Sequence, residues 1–320
     1  MVVQQAKQTD VMTDAGSRMN GPLVSVCIGA YNRKDTIREC VDSALAQTWL
    51  AREIVVVDDA STDGTRAILE SYGDKIRLIL RDRNSGICPV TRNQALRAAS
   101  GKYVAFLDSD DVWYPKKLER QVAFMESHPG IPLCHTLCNV LDGESRVIGP
   151  RHGLAVVPPT GWLFDSLLDH CWITISTVMA RKSLFEEIGE FNTDEPYGRL
   201  GEDHEFFLRV AKKYPIGLVD EILAGFRKAG QGITANNWQG NPEPVPLFQA
   251  LLMRRDIWGG VVSHERMIRA LTEKCNANAW FYRNRGELTR AWWFVWQGLK
   301  AAPWNMSMWR QVVGVLLRRR

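Results

Sequence analysis

Three groups of carboxylates stand out by type and spacing: Asp58-Asp59, Asp108-Ser109-Asp110 with Asp111 directly behind it, and Glu202-Asp203. Three acids within four residues repel one another unless water or a cation offsets the charge. A D-x-D of this kind suits a hard divalent cation. Such ions want oxygen ligands, and Mg2+ typically takes one or two carboxylates plus substrate phosphates. Each group also has a plainer reading. A short acidic turn is often only solvated, Asp58 can cap a strand end, and an acid at a helix start is stabilised by the helix dipole. Asp111 is expected to be a solvated neighbour that begins the next turn.

The elements around these acids decide between the readings. Asp108 closes the apolar run 103–107, and Asp58 closes the run 54–57. Continuous apolar runs are expected of strands covered on both faces. Residues 23–28, ended by Gly29, and 76–80 read as two further strands. Helical patterns at 36–48, 65–72 and 89–99 lie between them. Strands alternating with helices predict a parallel sheet with crossover helices. Ligands of such sheets bind beyond the carboxyl ends of the strands, so two acid groups at strand ends converge on one edge. No G-x-G-x-x-G follows the first strand, which argues against an ordinary dinucleotide-binding domain. Downstream, 116–127, 162–170, 181–188 and 202–214 read as helices and 174–179 as a strand. Residues 131–160 read as strands and loops. Residues 236–246 shift to Asn, Gln, Gly and Pro and predict a linker. A helical pattern fills 247–317.

The motifs taken together resemble a known family. Val24-Ser25-Val26-Cys27-Ile28-Gly29-Ala30-Tyr31-Asn32 is similar to the opening strand of family 2 glycosyltransferases. The stretch from Glu53 to Thr65 resembles that family's VVDDgStDgT segment. Asn84-Ser85-Gly86 and Thr91-Arg92-Asn93 match its N.G...arN pattern, Gly101 to Asp111 its GeyiaflDsDD, and Gly189-Glu190-Phe191 with Gly201-Glu202-Asp203 its GgFd…gED. The likeness covers about residues 22–234, in family order and spacing.

The resemblance implies an α/β GT-A fold: a Rossmann-like, mixed but mostly parallel sheet flanked by helices. It also implies a nucleotide-diphospho-sugar donor, most often UDP-linked, a divalent Mn2+ or Mg2+, and inversion at the anomeric carbon. Carried over by position, Ala30, Tyr31, Arg33 and Asp58 line the nucleoside pocket, with Asp58 accepting from a base N–H. Asn84, Gly86 and Arg92 lie near the ribose and phosphates; read without the family, they are a Gly turn and a helix-surface Arg. Asp108 and Ser109 contact the donor, Asp110 ligates the metal, and Asp203 is the general base. One position departs from the pattern. Where many members carry a His, this chain has Ala229, so Arg227, Lys228 or Gln231 would have to supply diphosphate contacts.

Composition bounds the rest. A chain of 320 residues, 45% hydrophobic and 24% charged, can bury a sizeable core. Its net charge of +4 gives no reason to expect nucleic acid as a partner. Seven cysteines at scattered spacings argue against a disulfide framework and for a reducing compartment. Cys134, His135 and Cys138 lack a second ligand pair at zinc spacing, so a core role is expected. Residues 1–21 lack a signal-peptide pattern and are expected to be a mobile leader. The domain plan is then a leader at 1–21, a catalytic domain at 22–235, a linker at 236–246 and a helical segment at 247–320.

That last segment has its own signature. Five of the twelve tryptophans lie within its residues 291–320: Trp292, Trp293, Trp296, Trp304 and Trp309. After Glu287 there is no acid, but there are Arg290, Lys300, Arg310, Arg318, Arg319 and Arg320. Two readings stay open: a hairpin packed on the catalytic domain through Trp292, Trp296 and Leu299, or an interfacial segment at a membrane. The expectation is a cytoplasmic transferase, or one peripheral at the inner membrane face, acting on a saccharide or lipid-linked acceptor in cell-surface glycan synthesis. The rivals are a non-catalytic nucleotide-sugar-binding protein on the same fold and a nucleotidyltransferase. The second would need a Gly-rich basic loop after the first strand, which Gly29-Ala30-Tyr31-Asn32 does not provide.

Overall fold

The structure is a computed structural model and describes residues 21–151, 160–194, 201–228, 251 and 254–317. The leader (apart from its last residue), the linker, Ala229, Gln231 and Arg318 to Arg320 lie outside the described residues.

The amino-terminal half alternates as its pattern predicts: β1 (Val24–Ala30), α1 (Ile37–Leu45), β2 (Arg52–Asp58), α2 (Thr65–Glu70), β3 (Arg77–Leu80), α3 (Cys88–Ala98) and β4 (Tyr103–Asp108). β5 (Val112–Trp113), α4 (Lys117–Ser127), β6 (Leu133–Leu141), β7 (Val147–Pro150), α5 (Phe164–Asp169), β8 (Met179–Arg181), α6 (Ser183–Ile188), α7 (Glu202–Lys213) and β9 (Gly217–Arg227) follow. α8 (Arg255–Trp258), α9 (His264–Asn284), α10 (Leu288–Ala301) and α11 (Met306–Leu317) complete the described chain.

The strands form one sheet in the order β3-β2-β1-β4-β8-β6-β9-β5, with β7 on β6. β3, β2, β1 and β4 are mutually parallel, while β8 joins β4 antiparallel and makes the second half mixed. Strand order reverses at β1, which has β2 on one side and β4 on the other, so the crevice lies at β1/β4. Register aligns the acids there: Ala30 pairs with Asp58 and Gly29 with Asp108.

The period of two along each strand splits the core between the two faces of the sheet. Val24, Val26 and Ile28 of β1 and Tyr103, Ala105 and Leu107 of β4 meet Ile37, Val41 and Ala44 of α1 and Leu118 and Val122 of α4. Cys27, Val104 and Phe106 point the other way, toward Ala95 and Leu96 of α3, Phe206 and Phe207 of α7, and the carboxy-terminal helices through Met267, Cys275 and Val295. At Gly29 α3 comes so close that a Cβ would lie 2.3 Å from Thr91 Oγ1. That position therefore accepts only glycine without a shift of α3.

Three expectations are corrected. Residues 174–179 do not form a strand: a 3-10 turn at Ile175–Thr177 precedes the short β8. The turn lets Ser176 reach across to the β4 acids, which an extended strand would not do. Asp111 is buried rather than solvated, for reasons given below. Trp296 is exposed rather than part of the core, whereas Trp292 and Leu299 do pack against it. All seven cysteines are free, and Cys134 and Cys138 are buried on β6 as core residues.

Candidate active site

The turn after β4 is fixed from three directions, by Thr36, Ser176 and Arg227. Thr36 Oγ1 donates to the Ser109 carbonyl at 2.9 Å, and Asp108 N donates to Ser176 Oγ at 3.1 Å. Asp111, fully buried, accepts from Ser176 Oγ at 2.5 Å and from Arg227 N at 2.8 Å. Arg227 Nε donates to the Asp110 carbonyl at 2.7 Å, while its Nη1 and Nη2 reach Ser145 Oγ and Glu39 Oε2. Arg227 is therefore committed to shaping this turn, so it is not the replacement diphosphate contact that the sequence invites. With Asp111 and Arg227 holding the backbone from beneath, the side chains of Asp108 and Asp110 face the crevice and stay partly exposed.

Burial, and then the nearby charge of Asp108, raises the Asp110 carboxyl above its ordinary range; the Arg33 guanidinium, 3.6 Å away, opposes that rise. Among the described residues no group of three His, Cys, Asp or Glu side chains could hold a metal. The donor set is instead a pair of carboxylates crowded enough to repel. That matches a cation which takes one or two protein carboxylates and fills its other positions with phosphate and water. Asp108 and Asp110 therefore fit a divalent ion.

Asp58 ends β2 fully buried. Its Oδ2 accepts from Ser61 N at 3.1 Å, while Oδ1, equally buried, has no partner among the described residues. Leaving a buried acceptor unpaired is costly, so this atom is set up to receive a donor from a ligand. The neighbouring loops are stitched around it. Asn32 N donates to Ser61 Oγ, Thr62 N to Asn32 Oδ1, and Arg33 N to Thr65 Oγ1. Asn32 and Ala60 both hold positive φ, at 50° and 61°, and such strain in non-glycine residues gathers at functional sites. Ala30 is buried at the end of β1, and Tyr31 projects from the rim.

Asn84 and Gly86 are exposed on the loop before α3, with Asn84 Oδ1 accepting from Gly86 N at 2.5 Å. Asp59 holds that loop: it pairs with Arg81 Nε at 2.7 Å and accepts from Ser85 Oγ at 2.6 Å. Asp58-Asp59, one acid group in the sequence, is divided by the structure into a buried acid with one unpartnered oxygen and a strut.

Arg92 links the carboxylate groups. It is buried under the site, not on a helix surface. Its Nη2 lies 3.1 Å from Asp108 Oδ1 and its Nη1 2.9 Å from Glu202 Oε1, while its guanidinium stacks 5.0 Å over Phe191. Burial opposes its charge, but the two carboxylates outweigh that and raise its pKa. Asp203 begins α7 beside this pair and accepts from His204 N at 2.7 Å. Burial raises Asp203 above the usual carboxylate range; Arg92 and the His204 N–H hold it back, and Asp108 adds to the rise. A carboxylate with a raised pKa and a charge partner in a cleft is suited to general-base work. Arg151, which the sequence did not single out, stacks 4.0 Å from Phe226 and adds positive charge near Asp203. Only its position before a poorly patterned stretch could have pointed to it.

An open α/β sheet with paired carboxylates at its switch point and a further acid on a facing helix is an arrangement suited to group transfer. The comparisons narrow the class. Residues 25–154 match the family described as Glycosyl transferase family 2. The chain is 34% identical over 222 residues to "Putative teichuronic acid biosynthesis glycosyltransferase TuaG" of Bacillus subtilis (strain 168), covering 68% of this chain and 84% of that one. It is 35% identical over 191 residues to the Escherichia coli protein "UDP-Glc:alpha-D-GlcNAc-diphosphoundecaprenol beta-1,3-glucosyltransferase WfaP", covering 60% and 71%. Among solved structures, S. aureus TarS 1-349 in complex with UDP-GlcNAc shares the fold with a TM-score of 0.63 at 22% identity, over 87% of this chain and 79% of that one. Mannosyltransferase PcManGT from Pyrobaculum calidifontis, in complex with GDP-Man and Mn2+, does so with a TM-score of 0.58 at 20% identity, over 93% and 81%. The chain belongs to glycosyltransferase family 2, and its fold is GT-A.

Proposed function

We propose that this chain is an inverting transferase that moves a sugar from a nucleotide-diphospho-sugar, with a UDP-sugar first in line, to a hydroxyl of a saccharide or lipid-linked acceptor in cell-surface glycan synthesis. Residues 22–235 carry the reaction, and residues 247–320 are a helical segment appended to them. The observation that carries the reading is the double ion pair of Arg92, which ties Asp108 to the helix start that presents Asp203. WfaP is named for a UDP-Glc donor and a diphosphoundecaprenol acceptor, and TarS is in complex with UDP-GlcNAc. They support this choice of donor and acceptor class.

In the proposed roles, Asp58 Oδ1 receives the base N–H, and Tyr31 and Arg33 border the nucleoside. Asn84, Gly86 and Ser109 line the donor. Asp108 contacts the donor, and Asp110 would hold Mn2+ or Mg2+, which when bound supplies Lewis-acid stabilisation of the leaving diphosphate. Asp203 takes the proton from the attacking acceptor hydroxyl. Inversion then follows from a single displacement with base and leaving group on opposite faces of the sugar. A thermal-shift and turnover screen of UDP-, GDP- and dTDP-sugars, each with Mn2+, Mg2+ or chelator, tests this. A donor at 100 times its Kd should add about 2.7 kcal/mol of stability. Equal donor affinity with chelator and with metal would remove the metal from the reading, and no shift with any donor would remove the donor class.

A further inference from the structure

The outer face of α10 and α11 carries the apolar residues that a surface helix normally turns inward. α11 buries Met308, Gln311 and Val315, and Gln311 Nε2 donates to Asn276 Oδ1 of α9 at 2.9 Å. Its outward side holds Met306, Trp309, Val313, Leu316 and Leu317, with Leu317 68% exposed. α10 buries Ala291, Val295 and Gly298, packs Trp292, Phe294 and Leu299 partly against the core, and turns Trp293 and Trp296 outward. Trp304, between the two helices, is 91% exposed. The orientation is locked from inside: a Cβ at Gly298 would sit 2.7 Å from Met308 Cε, so α11 lies directly on α10. Both helices are thus apolar on their outer side as well as on the side that packs inward, and large apolar side chains gathered on an exposed face mark an interaction site.

Charge identifies the occupant. Beyond Glu287 the sequence has no acid, while Arg290, Lys300 and Arg310 lie on or beside the exposed face and Arg318 to Arg320 follow in sequence. Lys300 Nζ sits 5.4 Å over the exposed Trp296 ring, a cation set into the aromatic surface. Two copies meeting through this face would oppose the same positive charges across a two-fold. An anionic bilayer offers the complementary sign, and Trp favours the depth of its headgroups. Among the described residues no helix is long and apolar enough to cross a membrane, so the contact is with the surface. We infer that the outer face of α10 and α11 docks the enzyme on an anionic lipid surface, with Trp293, Trp296, Trp304 and Trp309 in the interface and the basic residues at the headgroups. This is independent of the donor and acceptor proposed above.

The test uses the full chain and vesicles of phosphatidylcholine with or without about a third phosphatidylglycerol, read by co-sedimentation and by tryptophan emission. Three basic side chains near the surface should make binding to the anionic vesicles about a hundred-fold tighter than to neutral ones, and high salt should weaken it. The double variant Trp296→Ala/Trp304→Ala removes exposed rings only, and Lys300→Glu/Arg310→Glu reverses exposed charge only. Both should lose vesicle binding yet keep the wild-type circular dichroism and donor turnover in free solution. Equal partition to the two vesicle types, or none to either, overturns the inference. So does a concentration-dependent dimer that Trp296→Ala/Trp304→Ala abolishes while vesicles bind nothing, which would give the face to a second copy.

Discussion

Arg92 Nη1 lies 2.9 Å from Glu202 Oε1 across a sequence separation of 110 residues. The pair joins α3 to the start of α7, and the other end of the same guanidinium holds Asp108. The D-x-D and the start of α7 are thus registered against each other through one cation.

Arg92→Ala leaves Glu202 without its cation in a buried setting. Removing one partner of a buried pair costs about 3–5 kcal/mol, and the fall in Tm should come with loss of turnover because α7 is no longer tied to β4. Arg92→Lys keeps the charge but not the fork geometry. It should recover part of the stability and less of the activity. Urea denaturation and kcat on the two variants measure this. An Arg92→Ala protein of wild-type stability would show that the pair is not held in solution.

Asp203→Asn should lower kcat by about 10²–10⁴ while donor Kd stays near the wild-type value, as expected when only a general base is removed. The pH profile adds a sign. The base must be unprotonated, and burial raises Asp203 above its ordinary 3.8. Turnover is therefore full above the raised value and is lost as pH falls through it, with the acid limb displaced upward from the usual carboxylate position. In Asp203→Asn that limb should vanish from the residual rate. Its persistence would assign it to another group.

Much of the donor half was legible because it is local. Each acid ends a continuous apolar run, and the strand period places those ends on one edge. Asp111 was misread because its burial comes from Ser176 and Arg227, 65 and 116 residues away. Nothing in the string Asp108-Ser109-Asp110-Asp111 distinguishes the acid that faces in. Arg92 carries a motif match but no sign that it is buried, since α3 alternates polar and apolar residues too weakly to mark a face. The outward tryptophans of α10 defeat the pattern in the opposite way: periodicity gives a stripe but not the side of the helix that has a partner.

Asp58→Ala removes the buried carboxylate whose Oδ1 has no partner among the described residues. A hydrogen bond to a charged group is worth about 1.5–3 kcal/mol, so donor KM should rise by about 10- to 150-fold with a smaller change in kcat. Asp58→Asn keeps the size and still offers one acceptor, so it should fall between the two. A donor titration in which all three proteins bind alike would take Asp58 out of the nucleoside pocket.

Lys117 gives a stability signature unrelated to catalysis. It is fully buried, donates to Gln121 Oε1 at 2.6 Å and sits 4.0 Å over the Trp113 ring. Burial lowers its pKa from 10.5 to about 7. Between those values the unfolded chain binds the proton and the folded chain does not, so stability rises with pH across the window. Below about pH 7 both states are charged and the cost is fully present; above 10.5 neither is. Lys117→Met has no such proton, so its stability should rise less over the same range, by on the order of 4 kcal/mol. Urea midpoints for both proteins at half-unit steps from pH 6.5 to 10.5 give the difference curve. A flat difference would mean that Lys117 keeps an ordinary pKa and reaches solvent.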